Sequence, residues 1–116
     1  MSTIENKIGT VFLPVSNIEE SRDWYCRLLG IQRKGDIQFG HLYVIELEGV
    51  NLVLDQKIFQ KTGPLQAPIF HLNAVDIEKA YNELRESNVE VTTTIQHGHW
   101  FNFKDPDGNE IMVCQC

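Results

Sequence analysis

Residues 101–113 read FNFKDPDGNEIMV, and this stretch decides the fold. Apolar and polar side chains alternate through Phe101, Asn102 and Phe103, and again through Ile111, Met112 and Val113, as on a strand with one buried face. Between them, Pro106 presets one backbone angle and Gly108 or Asn109 supplies a left-handed one, so the chain reverses at residues 105–109. The spacing predicts a hairpin of strands 99–104 and 110–115. Moving back by 59 residues finds the same design around Gly49, with Glu46 on Asp105, Glu48 on Asp107 and Val53 on Met112. There the strands are predicted over 39–46 and 50–56.

The 59-residue shift holds along the chain without a gap. Leu13 falls on Leu72, Ile18 on Ile77, Glu19 on Glu78 and Gln56 on Gln115, while Asn17 meets Asp76 and Tyr25 meets Leu84. In the first copy, Thr10–Val15 alternates as a strand. A helix over 18–29 follows, with Asn17 as its cap, Ile18, Tyr25, Leu28 and Leu29 on its apolar side and Gly30 as its stop. Residues 31–36 read as a further strand. The second copy gives a strand from Ile69 to Val75, a helix capped by Asp76 with stripe Ile77, Ala80, Tyr81 and Leu84, and strands near 89–95, 99–104 and 110–115. The fold class is α+β: a single domain over 1–116, made of two βαβββ modules, 8–56 and 68–116, joined by a linker at 57–67. The expected arrangement is a mixed sheet curled around a cleft with helices outside.

Bulk chemistry narrows the function. The 116 residues are 42% hydrophobic and 22% charged, enough for one core without disulfides or structural metal. Ten basic against sixteen acidic residues leave a net charge of −6, which disfavours nucleic acid and anionic membrane as partners. No apolar run approaches a membrane span, and Met1–Lys7 lacks the pattern of a signal peptide, so a cytoplasmic protein is expected. Cys26, Cys114 and Cys116 cannot all pair within the chain, and in a reducing compartment they are expected as thiols. No second cysteine pair supports a soft metal at Cys114-x-Cys116. The segment Gly35–Gly40 lacks the Lys-Ser/Thr of a phosphate loop, and no Gly-x-Ser-x-Gly elbow occurs.

The L-x-V-x-[DN]-I-E entry to the first helix, the L-L-G-I exit and the F-x-D-P-D-G-N-E-I hairpin resemble the glyoxalase, bleomycin-resistance and extradiol-dioxygenase superfamily, the vicinal oxygen chelate proteins. The residues that carry the likeness are Val11–Ile31 and Phe101–Val113. It implies paired βαβββ modules and a range of activities: metal-dependent isomerases, lyases, dioxygenases and thiol transferases, and metal-free proteins that sequester antibiotics. In the metal enzymes a His or Gln opening each module's first strand and a Glu on each last strand converge on one ion. At the repeat register those positions are Thr10, Val53, Ile69 and Met112 here, or Phe70 if the fifth strand shifts by one. A hydroxyl, two aliphatics and a thioether do not replace imidazole and carboxylate. The expectation is no metal and no cofactor.

Strand alternation places Val11, Leu13, Val15, Leu42, Val44, Phe70, Leu72, Ala74, Phe101 and Phe103 under the helices. The opposite set, facing the cleft, is Thr10, Phe12, His41, Tyr43, Val53, Asp55, His71, Asn73, Trp100, Asn102, Met112 and Cys114. Aromatic faces beside amides and imidazoles suit a pocket that stacks a planar ligand and holds its polar edge. Trp100, Tyr43, His41 and His71 are expected to line one pocket, with His41 opposite Trp100 and Tyr43 opposite Asn102. His97-x-His99 reads as a solvated turn. The reading is a metal-free protein that binds a small, planar or aromatic organic molecule. Its rival is an enzyme of the lyase, isomerase or dioxygenase kind, using displaced ligands among His41, His71 and Asp55 or His71 as acid/base catalyst. Exposed strand edges favour a homodimer.

Overall fold

The computed structural model describes residues 2–116. The chain divides into two compact units, Met1–Gly63 and Pro64–Cys116. In the first, β1 (Thr10–Pro14), α1 (Ile18–Leu29), β2 (Leu42–Ile45), β3 (Asn51–Asp55) and α2 (Gln56–Thr62) follow in order. Its three strands lie in the order β1-β3-β2, with β1 parallel and β2 antiparallel to β3. The second unit runs β4 (His71–Asn73), α3 (Ile77–Glu86), β5 (Glu90–Val91), β6 (Trp100–Lys104) and β7 (Glu110–Cys114), in the sheet order β4-β7-β6-β5. The class is mixed α+β, with two small mixed sheets and three helices.

Each unit is locked by the same device. The Asn17 side chain accepts from Glu20 N at 3.1 Å and Asp76 accepts from Lys79 N at 3.1 Å, capping the two long helices. A second orphan amide in each helix reaches across the unit: Ile18 N donates to Gln56 Oε1 at 2.9 Å, and Ile77 N donates to Gln115 Oε1 at 2.8 Å. The glutamine beyond the last strand thereby sets where the helix begins. Gly30, in the left-handed region at φ 65°, stops α1 with its N–H on Arg27 O, while Ile31 N reaches Cys26 O. Leu13, Leu54, Phe101 and Phe103 are fully buried under the helices, and Tyr81 meets Phe101 edge-to-face with centroids 5.2 Å apart.

The structure departs from the sequence expectations at several points. Residues 31–36 form no strand, because the Tyr43 hydroxyl accepts from Lys34 N (3.0 Å) and donates to Lys34 O (2.6 Å), holding this segment one phenol away from β2. The expected linker 57–67 begins with a helix. Asp55 ends β3 and caps α2, accepting from Lys57 N at 2.9 Å and Ile58 N at 3.2 Å. Only Glu90–Val91 of the strand expected near 89–95 pairs, and β4 is shorter than Ile69–Val75. Cys26 is a free, buried thiol, but Cys114 and Cys116 are joined as a disulfide rather than standing as thiols; two positions apart at a strand end, their Cα atoms are 5.4 Å apart, within disulfide reach.

One correction governs the site. The repeat is not ungapped: Ile45 pairs with Leu52 across six residues, and Phe103 pairs with Ile111 across seven. The second hairpin is longer by one, so residues 38–45 match 96–103 at an offset of 58. Bridges Gln38↔Leu42 and Gln96↔Trp100 agree, as do Phe39 and His97, both left-handed at φ 52° and 53°. His41 is therefore equivalent to His99 and Tyr43 to Phe101, not to Trp100 and Asn102. A one-residue shift inverts a strand's faces, so Tyr43 is buried beneath the helix and Leu42 and Val44 stand on the opposite face, the reverse of expectation.

The longer turn is built around Asn109, which is fully buried. Its Oδ1 accepts from Leu65 N at 2.7 Å and its Nδ2 donates to Asp105 Oδ2 at 2.8 Å. Asn109→Ala strands the Leu65 amide and removes the side-chain bond to Asp105, and is expected to destabilise the protein by about 2–3 kcal/mol. A urea midpoint unchanged from wild type would contradict this account of the turn.

Candidate functional site

Alternation on β4, β7 and β6 collects one set of side chains on the sheet face away from α3. The register places His71, Met112 and Asn102 in one row and Asn73, Cys114 and Trp100 in the next. All six are residues that the sequence assigns to this face, and the unit brings them together. Along β4, His71 and Asn73 are exposed; Trp100 and Met112 are half-buried, and Asn102 and Cys114 are buried. A polar, open margin thus passes into an aromatic and thioether surface.

Asn102 is the buried polar residue of its row. Its Nδ2 makes a long contact of 3.4 Å to Glu110 Oε2, and its Oδ1 is buried without a hydrogen-bond partner among the described residues. A buried, unpaired amide carbonyl costs stability that a packed apolar residue would not. On the same face it is one row from the Trp100 indole, and Met112 separates it from His71. Glu110 stands two residues before Met112 on the same strand face; the sequence reading passed over it, although the alternation that selects Met112 also selects Glu110.

The first unit contributes less than expected. Thr10, Phe12, Val53 and Asp55 share the face away from α1 with Leu42 and Val44, since Phe12 pairs with Val53 and Val53 with Val44. Phe12 is half exposed at 49%. Asp55 is engaged as the cap of α2, which accounts for its burial without a ligand. His41 lies before β2 with Nδ1 2.9 Å from Phe39 O, a contact local to its turn. Tyr43 spends its hydroxyl on Lys34 and stands under the Arg22 guanidinium, 5.9 Å from its ring centroid. Neither His41 nor Tyr43 joins this face. The clue was in the sequence: Gln38-Phe39-Gly40-His41 aligns with Gln96-His97-Gly98-His99 only at 58 residues.

A family model described as the Glyoxalase/Bleomycin resistance protein/Dioxygenase superfamily matches residues 7–113. The chain belongs to this superfamily. Among solved structures, a superfamily member from Sphaerobacter thermophilus matches with a TM-score of 0.77 and 23% identity over 95% of this chain and 97% of that one. TnmS3, an antibiotic binding protein from Streptomyces sp. CB03234, matches with a TM-score of 0.77 and 22% identity, covering 98% of both chains. Lactoylglutathione lyase from Agrobacterium tumefaciens matches with a TM-score of 0.71 and 17% identity over 95% of this chain and 93% of that one. At such identities the likeness is one of fold. Comparison with curated protein sequences finds no match.

The superfamily's metal chemistry can be tested against the donors present. Val53 is buried at 6% exposure and pairs with Phe12, Met112 lies between His71 and Asn102, Ile69 is 65% exposed, and Thr10 offers one hydroxyl. This set does not fit a divalent ion, which takes imidazole or carboxylate donors. Among the described residues, no three of His, Cys, Asp or Glu are grouped to hold a metal elsewhere.

If the Asn102 carbonyl serves no structural bond, Asn102→Leu removes an unsatisfied group and fills its space. The variant is expected to gain about 1 kcal/mol in urea denaturation. A loss of 2 kcal/mol or more would mean that the amide holds the sheet together.

Proposed function

We propose that this superfamily member binds a small, planar organic molecule without a metal, on the sheet face that carries Trp100, Asn102, His71 and Asn73. The observation that carries the reading is the buried, unpartnered Asn102 Oδ1 one row from the half-buried Trp100 indole. An aromatic ring stacked on Trp100 would gain apolar burial, and a turn of the Asn102 side chain toward it would bring that oxygen onto an N–H or O–H of the ligand. His71 and Asn73 on β4 would meet the ligand's exposed polar edge. The donor set at the superfamily's ligand positions supports metal-free binding, and the fold shared with an antibiotic binding protein is compatible with it.

The test uses a Trp24→Phe background, in which quenching reports on Trp100 alone, and a panel of bicyclic and tricyclic aromatic probes bearing an amide or phenol. Binding is expected to quench Trp100. Asn102→Leu should weaken a donor-bearing probe by about tenfold while leaving its donor-free analogue unchanged, and Trp100→Ala should weaken both by about 30-fold, or about 2 kcal/mol. Near-stoichiometric zinc, iron or manganese in untagged protein, lost on His71→Ala, would overturn this reading in favour of a metal enzyme.

The proposal includes a homodimer. Among the described residues β4 has no strand partner on its outer side, and the exposed Ile69 (65%) and Val75 (97%) flank it, a combination that proteins usually cover. Sedimentation is expected to give twice the 13.4 kDa chain mass at tens of micromolar; a monomer under those conditions would contradict it.

A further inference from the structure

The two units differ at one place that the repeat makes easy to compare. In the second, β5 and the residues after it cover the outer edge of β6: Thr92 N donates to Asn102 O at 2.9 Å, and Thr93 Oγ1 accepts from Asn102 N at 3.0 Å. The equivalent of Asn102 in the first unit is Val44. Gln56 N donates to His41 O, so the ladder bonds of β2 to β3 fall on His41, Tyr43 and Ile45, and the Val44 N–H and C=O point outward. No hydrogen bond from the described residues reaches either. In place of a strand there is a cavity of about 520 Å³, with Cys26, Ile31, Tyr43 and Ile45 as its apolar lining and Lys34 and Glu46 among its polar groups.

Tyr43 is what keeps that space open. Its counterpart in the second unit is Phe101, which has no hydroxyl, and there the strand packs directly on the edge. In the first unit the Tyr43 hydroxyl takes up both backbone groups of Lys34, so Lys34 makes no backbone bond to the edge of β2. A free N–H and C=O on one residue, spaced for an amide and set beside a cavity of mixed polar and apolar lining, form the docking edge of β-augmentation. The volume lies in the range of small-ligand sites.

We propose that this cavity is a second binding site, and that it takes a short extended peptide which pairs antiparallel with Val44, as Glu90–Val91 pairs with β6 and Thr92 and Thr93 bond Asn102 in the other unit. The occupant is a peptide because an extended chain offers both a donor and an acceptor to the two Val44 groups, and because the repeat already fills the same place with one, whose Thr92 N–H and Thr93 hydroxyl bond Asn102. The site is built from residues of the first unit and shares none with the Trp100 face of the second.

The probe is the blocked tetrapeptide acetyl-Glu-Val-Thr-Thr-amide, which copies residues 90–93. Titrated into the whole 15N-labelled protein, it is expected to shift the Val44 and Glu46 amides and to slow hydrogen exchange at Val44. A peptide N-methylated so that it cannot bond the edge should bind at least tenfold more weakly. Val44→Pro removes the donor while leaving the ladder to β3 intact, since this N–H faces outward, and should give a similar loss with unchanged circular dichroism. The N-methylated peptide tests the same bond without any change to the protein, should that variant not fold. Equal binding of the two peptides, shifts confined to β4, β6 and β7, or no shift at millimolar peptide would each overturn the proposal. Because the readout is at Val44, its failure is separable from failure of aromatic binding at Trp100.

Discussion

Side chains alternate across a strand, so the number of residues in a hairpin decides which of them enter the core. In this chain that constraint acts twice, with different results. Seven residues separate Phe103 from Ile111, and Asn102 and Trp100 are turned to the open face; six separate Ile45 from Leu52, and Leu42 and Val44 take that place instead. The polar and aromatic character of the two faces follows from this one-residue difference. Asn109 stabilises the longer form by tying the turn to Leu65 and Asp105.

What keeps the faces in position is the tie between the end of each sheet and the start of each helix. Gln56 and Gln115 follow the last strands, and both side chains satisfy an amide in the first turn of a helix 38 residues earlier. Such a bond is worth about 1 kcal/mol. Its larger effect is geometric, because it fixes the helix against the strand pair and leaves the other sheet face uncovered by that helix. The two modules keep this tie while their hairpins diverge.

The open face of the second unit carries an unsatisfied amide that a purely structural sheet would exchange for an apolar side chain. Functional sites are where such local conflict is retained. In the first unit the polar candidates are already engaged: Asp55 caps a helix, Tyr43 anchors a loop, and His41 closes its own turn. A residue type suited to a site is not a site residue when a local partner has taken its lone pairs.

The sequence by itself determined the α+β class, the two copies, both long helices with their caps, and the face shared by His71, Asn73, Trp100, Asn102, Met112 and Cys114. Local rules sufficed there, since capping and alternation depend on neighbours a few residues away. Tertiary structure decided the rest. Whether residues 31–36 join a sheet depends on a hydroxyl nine residues away at Tyr43, and whether Asp55 ends a strand depends on the helix it begins. The facing of His41 and Tyr43 turned on hairpin register, which is set by paired backbone bonds between strands and is not contained in the period of either strand alone.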